Sequence, residues 1–177
     1  MDFTPPAASV HLYPTGIKLM QRHDGFSLIE LMTVLVIIGV IATVGIPAFQ
    51  DTIQSGRITQ ATNNMLGFLQ LARSEAVTRR APITVCASSD QANCTANTTW
   101  AQGAVMLQGA TLIKAMSAAG TNVTINGAGN TLTYRSDGTL ANAEAISICD
   151  TRGAESSRQI SITVIGQARS GANTTCP

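Results

Sequence analysis

Charge is scarce in this chain. Of its 177 residues only 12% are Asp, Glu, Lys or Arg, against about 25% in an average soluble domain. The balance is +1, and neither half is strongly basic. Composition therefore carries no electrostatic footprint for nucleic acid. Aromatic residues make up only 4%. Histidine occurs twice, as His11 and His23, both ahead of the apolar stretch described below. The remainder of the chain can supply neither a Ser–His pair nor a histidine-bound metal. No CxxC spacing occurs, and no glycine-rich phosphate loop lies between a strand pattern and a helix pattern. The acidic residues are isolated along the sequence. These absences point away from an enzyme, a bound cofactor and a metal centre.

What is present is concentrated. The chain is 45% hydrophobic, and much of that content lies in residues 31–50, a run of twenty without a formal charge. Residues 1–25 are polar and proline-containing, with Lys18 and Arg22 shortly before the run. They read as a leader, and basic residues on this flank keep it cytoplasmic. Residues 26–50 read as a membrane helix. Residues 26–49 alone span about 36 Å, enough for a hydrocarbon core of about 30 Å. Gly39, Gly45 and Pro47 weaken its second half, and Pro47 predicts a kink or local melting. An ordinary secretory signal would have a shorter apolar core and a cleavage site after it. Glu30, at the start of the run, is costly in lipid and so calls for a functional reading.

Residues 51–177 read as one α+β domain: a long helix packed on antiparallel sheet. From Asp51 to Arg80, Ile53, Ile58, Ala61, Met65, Phe68, Leu69, Ala72 and Ala76 recur at helical spacing. Pro82 predicts a helix end near Ala81. Seven β-type runs follow: 83–87, 104–107, 111–115, 122–125, 131–135, 145–149 and 160–165. Turn signals separate them, including Asn126-Gly127 and Asp137-Gly138. The four cysteines are Cys86, Cys94, Cys149 and Cys176. In an oxidising compartment they predict two disulfides rather than free buried thiols. Sequence order favours Cys86–Cys94 and Cys149–Cys176, although four cysteines allow three pairings. Loop closure assigns roughly 2.5 kcal/mol to the first bridge and roughly 3.5 to the second.

The join Gly25-Phe26-Ser27-Leu28-Ile29-Glu30, behind a basic leader and ahead of a long apolar run, resembles the signal of type IV pilins and type II secretion pseudopilins. That resemblance implies cleavage between Gly25 and Phe26 by a prepilin peptidase and N-methylation of Phe26. It also implies a role for Glu30 in neutralising the terminal amine of an adjacent subunit within a filament. Other major and minor pilins or pseudopilins would be the partners, with the inner membrane as the anchor and the C-terminal domain in the periplasm.

A second set of residues is similar to the GspH/FimT group of minor pilins and pseudopilins. It comprises Gln70-Leu71-Ala72-Arg73-Ser74-Glu75-Ala76-Val77, Ile83-Thr84-Val85-Cys86, Ser88-Ser89-Asp90 before Cys94, Trp100 through Gly103, and Tyr134 through Gly138. Paired cysteines look more FimT-like than GspH-like. Some FimT-like members bind DNA in natural transformation through a C-terminal Gly-Arg-x-Arg motif. The matching stretch here is Gly166-Gln167-Ala168-Arg169. Gln167 stands where the first arginine would be, which removes roughly one unit of counterion release. Arg169, Gln167, Arg158 and Arg152 are thus the candidate DNA residues, with Asp150 and Glu155 diluting the field. The resemblance implies a non-catalytic filament subunit of a pilus. A secretion pseudopilin and a DNA receptor are the alternatives.

Overall fold

A computed structural model describes residues 25–95, 99–127, 129–171 and 173–176. The expected leader, residues 1–25, lies outside the described residues apart from Gly25. Two compact units are distinguished, Met1–Thr43 and Val44–Pro177.

One helix, α1, runs from Leu28 to Arg79. Its first portion is apolar on every side, and the side chains from Leu28 to Phe49 are almost uniformly exposed. It is long and apolar enough to cross a membrane. Thr33 and Thr43 donate their hydroxyls to the carbonyls of Glu30 and Val40, so neither presents an unpaired hydroxyl to an apolar surrounding. The predicted melting at Pro47 does not occur: α1 continues through it. Proline removes one backbone donor, and the turns on either side keep their own hydrogen bonds.

In the second unit α1 becomes one-sided. Ile58, Ala61, Met65, Phe68, Leu69, Ala72 and Ala76 are buried as expected. Ile53 stays 41% exposed, and Thr62 joins the buried stripe by returning its hydroxyl to the Ile58 carbonyl. The helix ends at Arg79, and Arg80 turns the chain with a φ of +50° ahead of Pro82.

Eight strands follow: β1 (Ile83–Ala87), β2 (Ala104–Gln108), β3 (Thr111–Met116), β4 (Val123–Gly127), β5 (Thr131–Tyr134), β6 (Glu144–Asp150), β7 (Arg158–Ile162) and β8 (Ala168–Gly171). They form two four-stranded sheets, ordered β3-β2-β1-β5 and β4-β6-β7-β8, with every pairing antiparallel. One core joins the buried stripe of α1 to both sheets, with Met65 and Leu69 meeting Val85, Met106, Tyr134, Ile148 and Ile160 in a single cluster.

Three local expectations are corrected. Asn126-Gly127 is not a turn but the end of β4, where Gly127 pairs with Ile146. The last apolar run stops being a strand at Ile162. Thr163 closes a hairpin by donating its N–H to the Gln167 carbonyl, which leaves Val164 and Ile165 exposed in the turn. Ala168-Arg169-Ser170-Gly171, with no strand signature of its own, becomes β8 because β7 offers it a partner edge.

Candidate functional site

Gly25, Phe26 and Ser27 precede the helix and are exposed, with Phe26 at 81%. Leu31 N–H donates to the Ser27 carbonyl, making Ser27 the first acceptor of α1. Glu30 follows in the first turn, where a negative charge complements the exposed N–H groups of the helix start. Among the described residues, no side chain or backbone group hydrogen-bonds its carboxylate. Among the described residues it is therefore a carboxylate without a partner, followed by an apolar run.

The cysteines pair as Cys86–Cys94 and Cys149–Cys176, with Cα separations of 5.5 and 6.0 Å. The first bridge closes the loop that follows β1. Inside that loop Asp90 accepts bonds from the Asn93 and Ala92 N–H groups and from the Ser88 hydroxyl. These donors, Asn93 first, hold its carboxyl well below the usual carboxylate range. The second bridge ties the C-terminal tail to β6. Buried Ser157 reinforces it, donating to the Thr174 carbonyl at 2.7 Å and accepting the Thr174 N–H at 2.8 Å.

The four candidate DNA residues do not share one environment. Arg152 is half-buried and committed: it meets Asp150 at 2.7 Å and also donates to the Asp51 carbonyl and the Ser55 hydroxyl at 3.0 Å each. Arg158 donates to the Ser157 carbonyl at 2.9 Å and to the Asn173 side chain at 3.2 Å. Gln167 is half-buried beside the β7–β8 turn, with its backbone engaged by Thr163. Arg169 stands exposed on β8, opposite Ser161, at the outer edge of its sheet. Gly166 is buried with a φ of +77°, and a Cβ there would collide with the Gly138 carbonyl. The hairpin thus demands the glycine of the Gly-x-x-Arg stretch whatever the stretch binds.

The residues that carry the second resemblance have structural duties. Arg73 is half-buried and donates Nε to the Gly138 carbonyl at 3.2 Å. Trp100 is buried and donates its indole N–H to the Gly129 carbonyl at 2.9 Å. Gly103 has a φ of +126°, and a Cβ would sit 2.8 Å from the Met116 carbonyl. Tyr134 is fully buried, and its hydroxyl has no partner among the described residues. Burial pushes that phenol up to about 12, with the Arg73 cation opposing. Sequence reasoning missed the roles of Arg73, Trp100 and Gly103 because each depends on a carbonyl far along the chain.

The family model for type II transport protein GspH matches residues 61–167, more than half of the chain. The chain belongs to the GspH family. A second family model, the prokaryotic N-terminal methylation motif, matches residues 20–46. Among solved structures, the type IV minor pilin FimU of Pseudomonas aeruginosa superposes with a TM-score of 0.58 at 23% identity. That alignment covers 70% of this chain and 98% of FimU, and the likeness establishes a shared fold. The fimbrial protein EcpC of Eikenella corrodens is 44% identical over 45 residues, 25% of this chain and 29% of EcpC. The type IV major alpha-pilin of Moraxella bovis is 41% identical over 46 residues, 26% of this chain and 29% of that pilin. The chain spans less than a third of the length of these curated relatives. The family is thus that of type II transport protein GspH, and the fold is one shared with a type IV minor pilin.

Proposed function

We propose that this chain is a FimT-like minor type IV pilin that helps initiate, cap or decorate a pilus. The observation that carries this reading is Glu30: a carboxylate with no hydrogen-bond partner among the described residues, in the exposed and apolar first portion of α1. An isolated charge in hydrocarbon costs several kcal/mol, and an opposite charge in the same layer relieves it. Cleavage between Gly25 and Phe26 by a prepilin peptidase creates such a charge, the amine of Phe26, which then becomes methylated. A neighbouring subunit's amine meets Glu30 when the helices pack. Residues 26–50 hold the protein in the inner membrane before assembly, and residues 51–177 form the domain on the periplasmic side. Other major and minor pilins are its partners.

The test is Glu30→Val in a host that assembles the chain. Membrane insertion should persist while incorporation into filaments is lost. Normal incorporation of the variant would overturn the reading. Mass spectrometry of the mature chain should find methylated Phe26 at its N-terminus. The same chemistry serves a pseudopilus of type II secretion, and the genes beside this one separate the two filaments.

A second reading, DNA capture during natural transformation, rests on exposed Arg169. Arg152 is held by Asp150, and Arg158 is engaged with Asn173, so they contribute less to a phosphate track. A gel shift by residues 51–177 at low salt, abolished by Arg169→Ala and strengthened by Gln167→Arg, is the outcome that supports it. No shift by the native domain removes it.

A further inference from the structure

The second unit has an open groove between α1 and β3. Its wider part, 380 Å³, is walled by Asn63, Asn64 and Gly67 on the helix and by Lys114 to Met116 on the strand. A second recess of 270 Å³ shares Asn64 and continues past Gln60 and Arg57 to Ala118–Gly120.

Three independent properties converge on this groove. The first is backbone. β3 is an outer strand of its sheet, and its residues are exposed or half-buried along its whole length. Every second residue of such a strand turns its N–H and C=O away from the sheet, a template for one more strand. The second is charge. Both recesses carry a cation, Lys114 in one and Arg57 in the other, and among the described residues no carboxylate lines either. Among the described residues, Arg57 bonds through one nitrogen, at 3.4 Å from the Thr121 carbonyl and hydroxyl. The third is shape. Gly67 lies inside a helix, where glycine is unfavourable. A Cβ there would meet nothing within 4 Å, so the packing of this chain does not require glycine. Its bare backbone keeps the groove wall open.

We propose that the groove receives an extended, carboxylate-bearing segment of a neighbouring pilin subunit, which adds to β3 as an extra strand. Main-chain hydrogen bonds to β3 supply the attachment. Asn63, Asn64 and Gln60 each bring a donor and an acceptor to the outer face of the incoming backbone. Lys114 and Arg57 select its side chains. A lysine on an edge strand discourages indiscriminate pairing, and an acidic segment turns that penalty into an ion pair. The identity of the occupant rests on the filament-subunit reading; the groove and its preference for an acidic strand do not.

The experiment uses the full chain in a host that assembles it, with a photo-crosslinking side chain in place of Asn64. Mass spectrometry should map the crosslink to a non-helical, acidic segment of a pilin subunit. Lys114→Glu should lower its yield about tenfold, the change expected from losing one charge-assisted pair, and reversing the charge of the captured segment should restore it. Gly67→Leu should block the crosslink while circular dichroism shows an intact fold. A crosslink to glycan or lipid, to a helix or to an uncharged segment overturns the proposal, as does a yield unaffected by Lys114→Glu. If the chain is absent from filaments, the filament reading fails. If it is present without a crosslink at position 64, the groove proposal alone fails.

Discussion

Three glycines should respond to alanine in three different ways, and the differences come from their surroundings. Gly166 has a φ of +77°, and a Cβ there would strike the Gly138 carbonyl and sit 2.9 Å from the Arg73 Nε. The left-handed backbone alone costs a non-glycine residue about 1–2 kcal/mol. Relieving the collision means displacing backbone, since Gly138 is itself at +78° with a Cβ position 2.7 Å from Val77. Overpacking of this kind costs about 1–3 kcal/mol. Gly166→Ala should therefore lose roughly 2–5 kcal/mol, a large share of a domain stability of about 5–15 kcal/mol. Gly153 isolates the backbone component: its φ is +90°, but nothing lies within 4 Å of its Cβ position. Gly153→Ala should lose only about 1–2 kcal/mol. Gly67 has neither constraint and lies mid-helix, so Gly67→Ala should gain about 0.5–1 kcal/mol. Urea unfolding of the domain beginning at Asp51, disulfides intact, reads all three. Gly166→Ala should lower the midpoint by roughly 1–2 M. A Gly166→Ala midpoint equal to that of the parent, or equal to that of Gly153→Ala, would refute the assigned contact between the two loops.

Other expectations follow from single sites. Arg152→Met strands the carboxylate of Asp150, whose side chain is only 2% exposed; a loss of about 3 kcal/mol is expected, and a loss under about 1 kcal/mol contradicts the assigned pairing. Replacing both Cys149 and Cys176 with Ser should cost about 2–5 kcal/mol and expose the tail after Gly171 to protease; unchanged proteolysis would mean that Ser157 suffices to hold it. Burial pushes the folded pKa of Tyr134 up to about 12, above the ordinary 10.0 of a free phenol. A raised folded value gives stability that is present below pH 10 and lost as pH rises toward 12. Alkaline unfolding monitored by phenolate absorbance should show a loss of roughly 2–3 kcal/mol across that window, and Tyr134→Phe should remove the loss. Asp90 and Asp137 act in the opposite direction, with folded pKa values lowered chiefly by hydrogen bonds from Asn93 and from Thr139. Their contribution is present above the unfolded carboxylate range and lost as pH falls through the folded values, which an acid titration of the loop amides would detect.

Helical periodicity located the buried face of α1 from Ile58 to Ala76, because a stripe of apolar residues has few ways to leave water. The run from Ile83 to Ala87 matched its strand for the same reason. The failures have physical causes too. Asn126-Gly127 is strong turn chemistry, yet β6 supplied a partner and the pair stayed in the ladder. Ala168–Gly171 has weak strand propensity and was drawn into β8 by the free edge of β7. The partner of Arg73 was not legible because Gly138, which presents a carbonyl to it, is distant in sequence.

Sequence alone determined the features that depend on neighbours along the chain. These are the basic stretch ahead of Gly25-Phe26, the apolar run with one carboxylate at Glu30, and the amphipathic extension. Local spacing and transfer free energy are sufficient for each. Tertiary structure decided whatever needs a distant partner. It divided the strands into two sheets, committed Arg152 to Asp150, left Arg169 on an outer edge, and opened a cationic groove between α1 and β3. Such features arise from which surfaces remain uncovered after the core closes, and only packing of the whole domain sets that.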